Sequence, residues 1–469
     1  MNDKTSLGKE VFCVFDSIIL NGNIVYPGRV IQRGNIGIRN GKIEAITGPD
    51  TKLQGTHVID ATGKYIFSGI IETHSHLGIG AGEQDFITET SSAAIGGVTT
   101  VLFFLRDNSP YDEIYRYVKS IGEEKSYVDF SFHIVLITEE HLNSIPKYIN
   151  EFGVTSFKHY LTYRGEDAKT TNFGGNPIKF DTISDGYILE SFEKLSKYPK
   201  AVAIVHAEDI EIVHRAKKRL MDEGRSDLEA WALSRPVIAE VEGVRRALTL
   251  AKAAGCRVNI LHITSEAALN EAIEFRRSYD KVFIEVCHPY MVLNEQDVTS
   301  KIYKLRPPLR TKRDNERLWE AVMAGDINTV GSDHVPRKSA AKMGDIWSPA
   351  AGAPGTPFLF PIMLSEGYHK RHMPLTDIAK TLSLNPAILY GLYPQKGDIN
   401  VGFDADLVIV DLDREYVLKS SDISQYSDYI LYEGLKVKGY PETTMIRGKI
   451  VAQNGTVVGD SGWGRFVRR

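Results

Sequence analysis

Both ends of the chain contain short apolar runs separated by Asn-Gly pairs. Asn21-Gly22 and Asn40-Gly41 follow such runs near the N-terminus, and Asn454-Gly455 follows another near the C-terminus. Asn-Gly between alternating apolar residues is a strong hairpin signal, because type I′ turns need positive φ at both central positions. The pattern predicts one β-sandwich domain built from both chain ends. Its predicted strands are Ser17–Leu20, Ile36–Arg39, Lys42–Ile46, Asp406–Asp411, Thr444–Gln453 and Thr456–Val458.

The middle of the chain alternates β-branched apolar runs with amphipathic stretches of helical period. This alternation is typical of βα units around a parallel sheet, and eight such strands favour a closed (β/α)8 TIM barrel. We therefore predict an α/β chain with a hydrolase barrel at 66–390 and a small β-sandwich domain at 1–65 and 391–469. The predicted barrel strands are Tyr65–Glu72, Val98–Leu105, Val128–Leu136, Thr155–Tyr160, Ala201–His206, Arg257–His262, Lys281–Cys287 and Asn328–Ser332. Helices are predicted at Glu83–Ala94, Tyr111–Glu124, Val237–Ala254 and Ser265–Tyr279.

Composition narrows the class of protein. The 469 residues carry a net charge of −4, so no basic surface indicates nucleic acid or an anionic membrane as a partner. Three cysteines at unrelated spacings form no disulfide framework and fit a reducing cytoplasm. The N-terminus has neither the basic start nor the cleavage site of a signal peptide. We expect a cytoplasmic protein that acts on a small molecule.

Histidines and one aspartate coincide with the ends of predicted barrel strands. His74 and His76 lie two residues apart on the first strand, so both side chains leave the same face. His206 and His262 end the fifth and sixth strands, and Asp333 follows the eighth. Barrel enzymes keep their active sites at this rim. Each residue alone is weak evidence, but together they predict a metal site.

Lys158 ends the fourth predicted strand and would point among these ligands. A bare ammonium would be repelled by metal dications, whereas a buried lysine readily loses its proton. The neutral amine can then take up CO2 and become a carbamate, which is anionic. Together with Asp333 and a hydroxide, the carbamate would reduce the +4 of two dications to about +1. The residues thus predict a carboxylated lysine that bridges two metal ions.

The chain resembles the cyclic amidohydrolases, a branch of the amidohydrolase superfamily that contains hydantoinases, dihydropyrimidinases, allantoinases and dihydroorotases. The resemblance covers essentially the whole chain, and the motifs are specific only in combination. They are Gly69–His76, Gly96–Leu102, Gly153–Gly165, Val205–Asp209, Asn259–Ser265, Glu285–Leu293, Pro307–Arg310, Gly331–Pro336, Gly352–Pro357 and Gly402–Asp411.

The resemblance implies a metal-dependent hydrolase that opens a cyclic amide. His74, His76 and Asp333 would bind one ion, and His206 and His262 the other, with N6-carboxylysine at Lys158 and a hydroxide bridging both. Zinc suits mixed imidazole and oxygen ligands, and ligand type alone also allows manganese or cobalt. Asp333 would act as general base and then general acid. Tyr163 would hydrogen-bond the developing oxyanion.

The resemblance also bears on which ring is opened. Dihydroorotases carry a carboxylate-binding arginine where this chain has Gly78, so dihydroorotase is disfavoured. Tyr163 favours hydantoinase or dihydropyrimidinase. The segment Tyr303–Arg310, however, resembles allantoinases as much as it resembles hydantoinases, so allantoinase stays an alternative. A non-catalytic, dihydropyrimidinase-like scaffold is a further alternative. It is disfavoured because such proteins lose metal ligands and this chain keeps all six.

Three residues depart from the family pattern. Glu72 replaces the usual aspartate, His288 stands before Pro289 in a loop expected to offer backbone hydrogen bonds to the ring, and Ala351 replaces a frequent asparagine. The departures at His288 and Ala351 concern substrate specificity rather than metal binding. The resemblance further implies a homotetramer or homodimer. The tail Trp463–Arg469 is expected either to reach a neighbouring subunit or to be a solvated basic end.

Overall fold

The computed structural model describes residues 14–163, 171–180, 183–348 and 350–469. The strands are β1 Val14–Val25, β2 Ile31–Arg39, β3 Lys42–Thr47, β4 Gln54–Asp60, β5 Tyr65–Ser68, β6 Ile70–Ser75, β7 Val98–Leu105, β8 Asp129–Val135, β9 Ser156–Tyr160, β10 Val202–His206, β11 Val258–Ile260, β12 Val282–Cys287, β13 Thr329–Gly331, β14 Leu407–Val417, β15 Lys436–Ile446, β16 Lys449–Gln453 and β17 Thr456–Val457.

The helices lie mainly between the barrel strands. They are α1 Asp85–Ile95, α2 Tyr111–Lys125, α3 Glu139–Asn143, α4 Ile145–Asn150, α5 Asp185–Leu195, α6 Ile210–Asp222, α7 Leu228–Leu233, α8 Val237–Ala254, α9 Glu266–Arg276, α10 Pro289–Val292, α11 Lys312–Ala324, α12 Leu359–Ile362, α13 Leu375–Ala379 and α14 Asn385–Tyr390. Two π-helical segments, Met363–His369 and Lys380–Leu384, continue α12 and α13. In the described part of the chain, no helix is both long and apolar enough to span a membrane.

Strands β6 to β13 form the predicted barrel. They pair in chain order as an eight-stranded parallel sheet, and every residue of β7 and β8 is buried. The circle closes beside β13, where His334 forms a parallel bridge with Ser75. The His334 amide donates to the His74 carbonyl at 3.1 Å, and the His334 carbonyl accepts from the His76 amide at 2.8 Å. The predicted (β/α)8 fold is confirmed, and its seam lies next to the candidate ligands.

The strands from the two chain ends form a second, mixed sheet of nine strands. β14 from the C-terminal part pairs with β5 from the N-terminal part, so the predicted association of the two ends is confirmed. Isoleucines of β1, β2 and β3 pack with residues around β14 in a core separate from that of the barrel. Asn40-Gly41 and Asn454-Gly455 both have positive φ and form the predicted hairpin turns.

Asn21-Gly22 does not form the predicted turn. β1 continues through it as one strand, and the pairing with β2 shifts register between Ile19 and Gly22. β1 is also paired with β4 on its other edge, so the positive φ of Asn21, +62°, is accommodated as a bulge. The Asn21 amide donates to the Asn35 side chain at 2.8 Å. An Asn-Gly pair therefore bends this strand instead of ending it.

The predicted strand Tyr65–Glu72 is two strands in different sheets. β5 belongs to the terminal sheet and β6 begins the barrel, with Gly69 between them. A Cβ at Gly69 would lie 2.1 Å from Thr99 Oγ1, so only glycine fits where the chain crosses. Both strands are mostly buried and therefore apolar, so the hydrophobic pattern of the sequence showed them as a single strand. The domain limits of 66–390 stay a prediction.

The C-terminal tail packs on the N-terminal end of its own barrel. The Phe466 ring lies 5.2 Å from that of Phe132, and Phe466 is buried. Arg469 donates from Nη1 to Ser156 Oγ at 2.8 Å, at the start of β9. The tail is therefore not the solvated basic end considered from sequence.

Candidate metal centre and active site

A cavity of about 230 Å³ opens at the carboxyl ends of the barrel strands. All of the residues predicted to bind metal or to act in catalysis line it. They are His74, His76, Lys158, Tyr163, His206, His262 and Asp333. The fold thus brings residues from five separate parts of the chain to one cavity, although their roles as ligands stay a prediction.

His74, His76 and Asp333 form one cluster of potential metal ligands. The nitrogen and oxygen atoms that could bind a metal ion all lie within 4.8 Å of one another. Asp333 Oδ1 is 3.1 Å from His74 Nε2 and 3.3 Å from His76 Nε2. Asp333 has a φ of +50° just after β13, an uncommon conformation that turns its carboxylate toward β6. Burial alone would raise the pKa of the Asp333 carboxyl, but His74 and His76 hold it well below its usual range.

Glu285 on β12 orients His74. Its Oε1 lies 2.7 Å from His74 Nδ1, and its Oε2 accepts from the Thr73 hydroxyl at 2.8 Å. With Nδ1 engaged, Nε2 is the His74 nitrogen left facing Asp333. Burial lowers the pKa of His74, but Asp333 and Glu285 outweigh it and raise this pKa to about 9. A carboxylate behind a histidine is the usual support of a metal ligand.

His206 and His262 form a second pair, with ring centres 4.4 Å apart. His206 Nε2 lies 2.5 Å from Glu208 Oε2, and Glu208 is held by two bonds from Arg235 at 2.9 and 2.7 Å. His206 Nδ1 is therefore the nitrogen available to a ligand. His262 Nδ1 is buried and has no hydrogen-bond partner among the described residues.

The unpartnered His262 Nδ1 bears on whether the residues at this site fit a metal ion. A buried polar atom without a partner is costly, and a metal ion would satisfy it. Burial lowers the pKa of His262 well below its ordinary value, so the ring is neutral, as a metal ligand must be. Two imidazole pairs plus a carboxylate form a donor set that suits zinc. The residues present fit a metal centre.

Lys158 on β9 is buried beside these ligands. Its Nζ lies 5.0 Å from the centre of the Phe104 ring and 4.7 Å from that of Tyr160. Burial lowers the pKa of Lys158 to about 7, although Asp333 and Glu285 partly counteract it. The amine is therefore substantially neutral near pH 7, which is the state that reacts with CO2.

Glu72 occupies the position before the two histidines without joining them. Its Oε1 accepts from the backbone amides of His74 at 2.8 Å and Ser332 at 3.1 Å, so it links β6 to the segment after β13. Burial raises the pKa of Glu72 to about 7. Glu72, whose side chain is longer than that of the usual aspartate, thus hydrogen-bonds the backbone that carries the candidate ligands.

The remaining predicted residues differ in what they do. Tyr163 is half-buried at the cavity, with its ring 4.8 Å from that of Tyr160. Ala351 lines the cavity, whereas His288 is not among its lining residues and binds the Tyr432 hydroxyl at 2.6 Å. Gly78 has a φ of +74°, and a Cβ there would lie 2.4 Å from Phe173, so this position cannot hold an arginine without rearrangement.

The sequence analysis missed the residues that support the histidines. They are Glu285 behind His74, Arg106 at His76, and the pair Glu208 and Arg235 behind His206. A signal existed for two of them. Glu285 is a carboxylate inside an apolar strand, and Arg106 directly follows the apolar run of β7. A charge in such a setting is almost never buried unless it is paired.

The eight-stranded barrel with a histidine-rich, aspartate-containing mouth defines a metal-dependent barrel hydrolase as the class of protein. A model described as the amidohydrolase family matches residues 65–451. The chain belongs to the amidohydrolase family, and the predicted resemblance is confirmed.

Relatives of known activity match along the whole chain. A D-hydantoinase of Ralstonia pickettii is 32% identical and covers 97% of this chain and 99% of its own. An allantoinase of Deinococcus radiodurans is 32% identical and covers 96% and 98%. The solved L-hydantoinase (dihydropyrimidinase) of Arthrobacter aurescens superposes with a TM-score of 0.88 at 31% identity, covering 97% of this chain and 100% of its own.

Proposed function

We propose that this chain opens a ring by hydrolysing a carbon–nitrogen bond of a cyclic amide. The observation that carries the proposal is the convergence of all six candidate ligands and Tyr163 on one cavity at the barrel mouth. The relatives named above are hydantoinases and allantoinases, and both descriptions denote ring-opening amide hydrolysis. The enzyme class predicted from sequence, a hydrolase of cyclic amides, is confirmed at this level.

Two divalent ions, most simply zinc, would be held at this mouth. His74, His76 and Asp333 would hold one ion, and His206 and His262 the other. Lys158, as N6-carboxylysine, would contact both, and its neutral amine and burial support this role. When bound, the ions supply Lewis acidity for the ring carbonyl and lower the pKa of water.

Asp333 would move the proton. Its carboxylate is held ionised beside His74 and His76, so it can accept the proton of the attacking water. The same oxygen can then return that proton to the departing ring nitrogen. Tyr163, on the rim of the same cavity, would donate from its hydroxyl to the carbonyl oxygen as negative charge develops there. Glu285 and Glu208 would keep the histidines oriented throughout.

A hydantoin or dihydropyrimidine ring is the favoured substrate, and allantoin is the second candidate. The relatives include both kinds of enzyme at 32% identity. The steric conflict at Gly78 supports the exclusion of the dihydroorotase mode of carboxylate binding. A metal-free scaffold is disfavoured because the six ligand positions are intact.

Ring opening by the metal-loaded protein tests the proposal. Hydantoin, 5,6-dihydrouracil, allantoin and dihydroorotate would be assayed beside a metal analysis of the same protein. Turnover of one of the first three, with about two ions per chain, is expected. Turnover of dihydroorotate alone would contradict the ring assignment, and a metal-free protein that opens no ring even after reconstitution would support the scaffold.

A homodimer or homotetramer is proposed on the family resemblance alone. Light scattering coupled to size exclusion measures it directly. A molar mass equal to that of one chain at assay concentrations would contradict it.

A further inference from the structure

Three arginine side chains line the candidate active-site cavity without a carboxylate partner among the described residues. They are Arg106, Arg306 and Arg337. In the part of the chain that the structure describes, no aspartate or glutamate forms an ion pair with any of the three. Arg235 in the same wall is the contrast, because Glu208 neutralises it through two hydrogen bonds.

Arg106 lies deepest, with 4% of its surface exposed. Its Nε donates to the Thr171 carbonyl at 2.6 Å, and its Nη1 lies 3.1 Å from His76 Nδ1. Neither partner is a carboxylate, so neither supplies a negative charge. The positive charge of Arg106 is thus buried at the edge of the candidate metal centre without a counter-charge among the described residues.

Arg306 and Arg337 lie on two other loops of the rim. The Arg306 guanidinium is 5.3 Å from the centre of the Tyr163 ring, and its Nε is buried without a hydrogen-bond partner among the described residues. Arg337 donates from Nε to the Ala351 carbonyl at 3.1 Å. Burial, with the charges of Arg106 and Arg306, lowers the pKa of Arg337 to about 10. The three cations therefore repel one another across one cavity.

We propose that this arginine cluster, Arg106, Arg306 and Arg337, binds a carboxylate on an exocyclic substituent of the substrate ring. Arg106 is buried without a counter-charge among the described residues, which is costly, and an anionic ligand offsets that cost. Arg306 and Arg337 are half-buried and would share such a ligand. Guanidinium groups match the planar geometry of a carboxylate and can bind it through two parallel hydrogen bonds. The amide ring itself is neutral, so the negative charge must come from a substituent. The inference rests on the proposed function and narrows it to acidic ring substrates.

A matched pair of substrates tests this. 5-Carboxymethylhydantoin and its neutral amide, 5-carbamoylmethylhydantoin, differ in charge but hardly in shape. The metal-loaded enzyme should prefer the acid in kcat/KM by about tenfold or more, as expected for charge-assisted hydrogen bonds. The preference should shrink as ionic strength rises.

Substitutions assign the preference to the cluster. Arg306→Gln and Arg337→Gln should each raise KM for the acid about tenfold or more, and should raise it by a larger factor than they raise KM for the amide. Arg306→Lys keeps the charge but loses the planar fork, so it should give an intermediate KM. Lys338→Gln removes the same charge from an exposed neighbour and should leave the acid-to-amide ratio unchanged.

Several outcomes would overturn the inference. One is an amide that reacts as well as the acid, and another is a pair of arginine variants that weaken both substrates equally. Opening of neutral rings alone would also overturn it while the proposed function stands. If the enzyme opens no ring, calorimetric titration of the metal-loaded, unmodified protein with the acid and the amide decides the matter. Equal affinity for the two would then reject the cluster as a carboxylate site, and a phosphate-bearing ring that binds more tightly than the acid would reject the carboxylate assignment.

Discussion

The two ends of the barrel each bury a lysine, and the two lysines are in opposite electrostatic states. At the N-terminal end, Lys396 Nζ lies 2.7 Å from Asp129 and 3.2 Å from Asp404, and it also contacts Asp406. At the mouth, the Lys158 amine lies beside the rings of Phe104 and Tyr160, and it forms no ion pair among the described residues. Each side chain is only 1% exposed.

The difference follows from the neighbours. Burial lowers the pKa of both lysines, but the carboxylates around Lys396 outweigh burial and raise its pKa, whereas the pKa of Lys158 falls to about 7. Arg447, which also binds Asp129, adds a second cation to the paired end. The paired end stabilises the junction between the barrel and the terminal sheet. The mouth keeps unpaired groups for a ligand to satisfy.

Removing the proton carrier at the mouth should have the largest effect. Asp333→Asn is expected to reduce kcat by roughly a hundredfold to ten-thousandfold, the range that general acid–base catalysis contributes. Steady-state assays with metal analysis of the same sample measure it. A kcat within tenfold of the wild type, with the metal content intact, would contradict the assigned role.

Replacing Lys158, the lysine without an ion-pair partner among the described residues, should reduce the amount of metal that the protein binds. Lys158→Ala is expected to lose the bridge between the ions, so bound metal falls below two per chain and activity is lost. Elemental analysis after reconstitution in bicarbonate measures the loss. Partial rescue by a short carboxylic acid such as propionate would support a carboxylate at this position. Unchanged metal content would refute the carboxylated lysine.

Replacing the paired lysine should act on stability instead. Lys396→Met leaves Asp406 buried without its ion-pair partner and leaves Asp129 with Arg447 alone, and breaking a buried pair costs about 3–5 kcal/mol. Urea unfolding at pH 7 measures the free energy of unfolding. The comparison with Lys158→Met is the control, because that change removes an unpaired amine and should not destabilise the metal-free protein. Equal losses in both variants would end the contrast between the two ends.

The pH dependence of stability should sharpen the same contrast with a smaller effect. The pKa of Lys158 is about 7 in the folded chain and about 10.4 when unfolded. The unfolded chain therefore binds more protons between these values, and Lys158 makes the metal-free protein more stable as pH rises there, by at most about 1.4 kcal/mol per pH unit. Lys396 has the opposite sign, since its stabilisation is present below pH 10 and is lost only above it.

Unfolding in CO2-free buffer with a chelator, at pH 7, 8 and 9, isolates the Lys158 effect. The difference in the free energy of unfolding between Lys158→Met and the wild type should shrink as pH rises. A constant difference would show that the amine is charged in both states.

Features that follow from the period of a strand or helix could be predicted from the sequence. Contacts between residues far apart in the sequence could not. His74 and His76 share a face because strands alternate, and this was visible in the sequence alone. Glu285 is 211 residues from His74, and nothing local indicates their contact. The same holds for the bulge at Asn21-Gly22, where a second neighbouring strand decides the outcome. Gly69 divides two buried strands whose apolar sequences run together, so only tertiary structure separates them.

The seam of the barrel has a mechanical consequence. His334 joins the first and last strands through its backbone, directly between His74 and His76 on one side and Asp333 on the other. An ion held by His74, His76 and Asp333 would link the first and last strands here, where the backbone of His334 makes two hydrogen bonds to β6 and the residue that follows it. Metal binding would then have two effects: it would complete the active site, and it would stabilise the closure of the barrel.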